Sequence, residues 1–366
     1  KSNFKKVKNL NYFISILGSL VLLLSASSLL CQTLLRQLGP SLEYPWGMDF
    51  LNQNSVLVTE KAGKIFEINI ETGESSEITG LPKVASNGQG GLLDLIIDQN
   101  KTKDGSTIYF CYSFQVSNGI GTAIDKAEIK DSEIVNLERL YQSNHISDSS
   151  KHFGCRLLLK GSYLFATLGD RGDRNLAQDK KIDSGSVIKI SLQQWSVGKS
   201  KRKATVFSNG HRNPQGLALN PYTNQIWSHE HGPRGGDEIN IIQENYNYGW
   251  PIITSGKEYF GGSIGIGSSS PDYASPIWTW IPSIAPSGMA FYNRNMFQDF
   301  KGHLLVGSLK FRSLYLVRLK DNLPTSETII FKNKIGRIRD VAVVQDGSIL
   351  ILTDEKNGGL YKLFRK

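Results

Sequence analysis

The chain is poor in cysteine and methionine, with three of each in 366 residues, and no acidic residue precedes Glu43. So few cysteines exclude a disulfide scaffold. Beyond Cys31 only Cys111 and Cys155 remain; both lie in apolar strand-like runs and read as two separate buried thiols. There is no CxxC pair, no Walker loop and no GxGxxG after a strand-like run, so nucleotide-dependent chemistry has no support. No long amphipathic helical pattern follows the first 31 residues. Basic runs are also missing from the body, apart from Lys199–Lys203, which reads as a solvated loop. The formal net charge of +9 falls to +5 once Lys1, Lys5, Lys6 and Lys8 are set aside. That is too mild to call for nucleic acid.

What is present begins with a leader. The four lysines precede an apolar run from Tyr12 to Leu30, with small residues at Ser25–Ser28 as a cleavage zone. A basic segment followed by an apolar one is the pattern of a secretory signal. Residues 1–31 are therefore expected to be a signal peptide, with an uncleaved signal-anchor as the alternative and the only route to a membrane. Cys31 does not fit a lipidation site, because Leu29 and Leu30 stand where a small residue is required. Export to the periplasm is the expected location.

The body repeats one unit: strand, short polar turn, strand, polar stop, and often a third strand. Copies start at Met48, Leu95, Arg156, Leu217, Met289 and Val341. Recurrence every roughly 45–75 residues, with 36 glycines to make turns, points to propeller blades. The expected fold is all-β, a six-bladed β-propeller over residues 40–366. The last unit lacks a fourth strand, and the segment near Ser41–Trp46 is expected to supply it and close the ring. The stops at Thr59-Glu60, Gly169-Asp170, His229-Glu230-His231, Ser308-Leu309-Lys310 and Thr353-Asp354-Glu355 should emerge together around the channel.

Several stretches carry chemistry. His231–Asn240 reads HGPRGGDEIN; a carboxylate with glycine-freed carbonyls suits a hard cation such as Ca²⁺. His229 and His231 share a strand face but need a third ligand before they could hold zinc. His152 and Asp170 are separated by one hairpin and can meet across strands, where a carboxylate would support the imidazole as a base. Lys310, Arg337 and Arg339 gather at late stops and fit a polyanionic small ligand or, equally, a solvated stripe.

Taken in order, YPWGMDF, VTEKAGKI, GQGGLLDL, HFGCRL, TLGDRGDRNLAQD, GHRNPQGLALNP, EHGPRGGDEIN, NYGWP, APSGMAFY, GSLK, GRIRDV and LTDE cover nearly all of the chain from Tyr44 onward. Together they resemble the soluble PQQ-dependent glucose dehydrogenase and aldose sugar dehydrogenase family. The resemblance implies pyrroloquinoline quinone (PQQ) and Ca²⁺ as cofactors, and oxidation of an aldose to a lactone by hydride transfer. It implies His152 as general base, Asp170 as its orienting carboxylate and Arg212 as a polarising cation. Gln89, Arg212, Asn213, His231, Ser283, Lys310, Arg337 and Arg339 would line or hold the quinone. Gly232, Pro233, Glu238 and Tyr248 would serve Ca²⁺, with Asp237 nearby. Cys155 stands where the family usually has glycine. His231 suits the aldose branch, and the Gly/Ser-rich loop Gly261–Ser270 would border substrate access.

Partners implied are an aldose and an external electron acceptor, with a homodimer left open. Two rivals stand beside this reading. A non-catalytic binding propeller should have lost the His or the Arg pair. A Ca²⁺-dependent lactonase-like hydrolase would need carboxylates aimed at the channel and no late basic cluster.

Overall fold

In the computed structural model, residues 32–99, 105–193 and 204–366 are described; the leader and Lys199–Lys203 lie outside them. The described residues form six four-stranded antiparallel sheets, a six-bladed propeller. The inner strands are Pro45–Phe50, Leu92–Ile97, Leu157–Lys160, Pro214–Leu219, Pro286–Tyr292 and Ile338–Val343. Each inner strand packs against the next, and the last against the first, so the ring is closed.

The strand sequences explain the stacking. Val56, Leu57 and Val58 are consecutive and all fully buried. Side chains alternate across a strand, so both faces of this one are covered. Leu57 joins Ile97, Phe110 and Ala123 of the following blade. Val56 and Val58 join Leu350, Leu352 and Leu360 of the preceding one. The same alternation sends Ile349 and Ile351 to the other side of the last blade, against Leu305, Leu314 and Leu316. Each such side chain contributes about 1.5–3 kcal/mol of burial.

Closure differs in detail from expectation. The fourth strand of the last sheet is Thr33–Leu42, paired with Gly358–Arg365 from Thr33↔Arg365 to Leu42↔Gly358. The expected segment near Ser41–Trp46 overlaps it by only two residues. Pro45 and Trp46 instead open the first inner strand, Pro45–Phe50. The RQLGPS stretch bends through a bulge between Leu38 and Leu42, and Gly39 there takes φ +67°.

The cysteine expectation is corrected as well. Cys111 and Cys155 form a disulfide, with Cα atoms 6.5 Å apart. Cys111 lies on the second strand of the second blade, and Cys155 lies just ahead of the third blade. Both belong to the apolar cluster between those blades, so blade packing brings together residues 44 apart in sequence.

Strand direction fixes where function can sit. In every blade the loop entering the inner strand and the loop leaving the second strand lie at the same end of the channel. Main-chain bonds join these loops: Gln89 N–H to Ser150 O, Asp170 N–H to Arg212 O, His231 N–H to Asn213 O and Tyr44 N–H to Glu355 O. Below them Arg156 fills the axis, with its guanidinium on Asp94 Oδ1 at 3.2 Å, on Asp340 Oδ2 at 3.0 Å and over the Trp46 ring at 4.3 Å.

Candidate active site

At the mouth formed by these loops, His152 Nδ1 lies 2.6 Å from Asp170 Oδ1. His152 has φ +54° and its backbone N–H donates to Gln89 Oε1 at 2.8 Å, so a neighbouring loop helps fix the turn. Gly169 is required beneath it, because a Cβ there would sit 2.2 Å from the His152 carbonyl oxygen. Asp170 also accepts the Gly172 N–H and the Trp250 indole N–H, both at 2.8 Å.

These contacts set the charge states. Burial alone would push the Asp170 carboxyl up, but the His152 hydrogen bond and charge and the Gly172 amide outweigh it and hold it below the ordinary carboxylate range. Burial lowers His152 below the usual imidazole value, and Arg212 adds to this; the Asp170 hydrogen bond offsets only part. A neutral imidazole beside an ionised carboxylate carries its proton on Nδ1 and leaves Nε2 as the basic nitrogen.

Arg212 is buried beside this dyad. Its backbone N–H donates to Glu230 Oε2 at 2.6 Å, and Nη1 donates to the carbonyls of His231 and Gly232, both at 3.0 Å. Its guanidinium carbon stands 5.4 Å from the centre of the Trp250 ring. Asn213 Oδ1 accepts from Gln215 Nε2 at 3.3 Å. His231 Nε2 is 2.7 Å from Pro286 O, and burial pushes this imidazole down to about 4, so it is neutral and donates there.

A cationic cluster completes the mouth. Asp354 Oδ2 accepts from Arg337 Nη2 at 3.1 Å and from Arg339 Nη2 at 2.7 Å. Arg339 Nη1 reaches Gln215 Oε1 at 3.1 Å, and Gln215 Nε2 donates to Gly154 O at 2.7 Å. One glutamine thus bridges Arg339 to the backbone two residues past His152. The buried Nε of Arg339 has no hydrogen-bond partner. Lys61 Nζ donates to Gly88 O at 2.7 Å; burial lowers its pKa, Asp354 raises it and Arg339 lowers it further. Arg337 and Arg339 therefore share one carboxylate, and Lys61 feels its charge without pairing to it.

Two expected members make other contacts. Lys310 is exposed, with Nζ 5.2 Å from the centre of the Phe311 ring. Ser283 donates to Asp237 Oδ2 at 2.6 Å. Asp237 also takes the N–H groups of Gly232, Ile284 and Ala285, so it shapes the turns on which Ser283 and Gly232 stand.

Glu238 faces Glu230 as its cross-strand partner. Burial, then the charge of Glu230, pushes the Glu238 carboxyl up to about 8. Glu230 is committed to His211 Nδ1 at 2.8 Å and the Arg212 amide. The Tyr248 hydroxyl donates to Ile241 O at 2.5 Å and its ring stacks on His211, so the phenol points along the strand. The turn at Gly232 is tight: a Cβ there would meet the carbonyls of Gly235 and Gly236 at 2.3 and 2.4 Å. Gly232, Glu230, Glu238 and Tyr248 line one small cavity. Among the described residues no three His, Cys, Asp or Glu side chains gather as a metal cluster, so a cation here would rest on carbonyls with the carboxylates. That donor set suits Ca²⁺.

Sequence reading passed over Lys61, Gln215, Trp250 and Glu230. Lys61 was findable, since it directly follows the Thr59-Glu60 stop. Trp250 was not, because it reaches Asp170 from 80 residues away.

A family model described as glucose / sorbosone dehydrogenase matches residues 42–362. The aldose sugar dehydrogenase YliI of Escherichia coli is 35% identical over 339 residues, 89% of this chain and 91% of that protein. Quinoprotein glucose dehydrogenase B of Acinetobacter calcoaceticus is 25% identical over 415 residues, 87% of this chain and 83% of that protein. A crystal structure of a glucose dehydrogenase superposes with a TM-score of 0.84 at 33% identity, covering 90% of this chain and 99% of that one.

Proposed function

This chain belongs to the glucose / sorbosone dehydrogenase family, and on that premise we propose that it oxidises aldose sugars to lactones with PQQ and Ca²⁺. The observation that carries this reading is the meeting of a neutral imidazole with a surplus of fixed positive charge at one mouth. A polycarboxylate fits the cluster, because Arg337 and Arg339 share Asp354 as ion-pair partner, Lys61 bonds a main-chain carbonyl, and Arg339 keeps an unpartnered buried N–H. The cavity of Glu238, Gly232 and Tyr248 supports the Ca²⁺ assignment, and Pro233 follows Gly232 in the chain.

When bound, PQQ supplies a quinone able to accept a hydride and Ca²⁺ an electrophilic charge on it. His152 takes the proton of the anomeric hydroxyl on Nε2, and Asp170 holds the ring and stabilises the imidazolium that forms. Trp250 holds the second oxygen of Asp170. Arg212, fixed on two carbonyls and Glu230, sets a cation where negative charge develops. The same late basic cluster argues against the lactonase-like alternative. The Cys111–Cys155 disulfide supports export to an oxidising compartment such as the periplasm.

The test is an absorbance titration of purified apo-protein with PQQ, followed by dye-linked aldose oxidation with and without Ca²⁺. Saturable binding with sugar-dependent dye reduction is expected. Tight PQQ binding with no turnover on any aldose would make the chain a binding propeller instead.

A further inference from the structure

Charge is unevenly distributed between the two ends of the channel. On the loops of the site mouth, Lys151, Arg234, Lys257, Lys310, Arg312 and Lys332 are all exposed. The acids there are largely committed: Asp354 to Arg337 and Arg339, Glu258 to Arg174, and Glu355 to the Arg337 amide. Exposed acids on these loops among the described residues include Glu43, Asp148, Asp173 and Asp179. At the opposite end, the turns joining first to second strands carry only Asp98, Asp299, Asp346, Arg294 and Lys301 among the described residues. Among the described residues, exposed cations therefore outnumber exposed acids on the mouth loops and not in these turns.

An apolar patch sits within this rim. Tyr259, Phe260 and Ile281 are 61%, 105% and 70% exposed. Main-chain bonds in both directions tie Lys257 to Arg234, the Tyr259 carbonyl accepts from the Arg234 guanidinium, and the Tyr259 hydroxyl lies 3.5 Å from Arg212 Nη2. Ile281 lies beside Gly235 of the same turn. Exposed aromatic and aliphatic side chains ringed by charge of one sign are the make-up of a protein-docking surface.

We propose that this mouth docks an acidic electron-carrier protein, which takes electrons from the site. The proposal rests on the reaction above. Oxidising an aldose at C1 releases two electrons and two protons. Two successive one-electron transfers, each reducing one carrier molecule, with both protons passing to water, balance the cycle. The carrier and the sugar use the same opening, so the complex must be short-lived. Long-range attraction by a cationic rim speeds such encounters without a large buried area.

The experiment uses PQQ- and Ca²⁺-loaded protein with three probes: a cytochrome of strongly negative net charge, a basic cytochrome and a neutral dye. Binding of each cytochrome is also followed by calorimetry without sugar, so failed sugar oxidation would count against the proposed reaction and leave the docking result readable. The acidic cytochrome should be reduced at least roughly 10-fold faster than the basic one at low ionic strength, and that advantage should shrink as salt rises. Reversing charge together at Lys257→Glu, Lys332→Glu and Lys334→Glu, the last an exposed lysine two residues past Lys332, should lower its rate and affinity roughly 10-fold while dye reduction stays unchanged. Equal binding of both cytochromes, or no effect of the triple variant, overturns the proposal. So does binding to anionic phospholipid vesicles with no binding to the acidic cytochrome, which would assign the surface to a membrane.

Discussion

Glu238 stands directly opposite Glu230 in the ladder between the second and third strands of the fourth blade. Burial of Glu238, and then repulsion between two carboxylates so placed, pushes Glu238 up to about 8 in the protein without metal. A folded-state pKa raised above the ordinary 4.5 means stability present at low pH and lost as pH rises through about 8. Apo-protein with Glu238→Gln should therefore melt higher than wild type at pH 8, with the difference vanishing below pH 4.5. Thermal melts across pH check this. Added Ca²⁺ should raise the wild-type melting temperature and leave the variant nearly unmoved; an equal rise in both would remove Glu238 from the metal shell.

His152→Ala should lower kcat by about 10²–10⁴-fold, the usual contribution of a general base. PQQ affinity, measured by absorbance titration, should change little, since the cationic cluster is untouched. A parallel loss of both would contradict the assigned role.

Asp170→Asn removes the group whose hydrogen bond raises the His152 pKa against burial. The acid limb of the pH profile should therefore move to lower pH, while kcat falls because the ring is no longer held in one tautomer. The wild-type limb itself should lie below the usual histidine value. A limb displaced upward in the variant would be the wrong sign.

Replacing Cys111 and Cys155 with serine should cost about 2–4 kcal/mol, given a closed loop of 44 residues. Denaturant titration measures the loss. Thiol counting on unreduced, unfolded protein should find neither Cys111 nor Cys155 free.

Leu57→Ala empties a fully buried position between the first two blades and should destabilise by about 2–5 kcal/mol without altering PQQ affinity. Unfolding curves and the absorbance titration report the two effects separately.

The repeat was legible because each blade is a local unit: Met48–Ile68 and Val341–Leu363 show their strands and stops in the sequence itself. The encounter of His152 with Asp170 was legible for the same reason, being one hairpin apart. What crosses blades was not. The disulfide joins residues on neighbouring blades, and each cysteine alone looks like any buried apolar residue. Gln215 does its bridging between Arg339 and Gly154 across the ring. Thr33–Leu42 follows directly on the apolar leader and shows no clean alternation, so its pairing partner at the far end of the chain gives no local signal.

That pairing has a temporal side. The strand that seals the last sheet is the first of the described strands to leave the ribosome, and its partner Gly358–Arg365 is the last. Until Gly358–Arg365 has been made, Thr33–Leu42 has no ladder to join, and the first and last blades each present an uncovered apolar face. The nascent protein can fold its middle blades as they emerge, but the toroid closes only once Gly358–Arg365 is free to pair. A chain lacking Gly358–Arg365 would keep every residue of the site and still lack the strand that locks its two ends together.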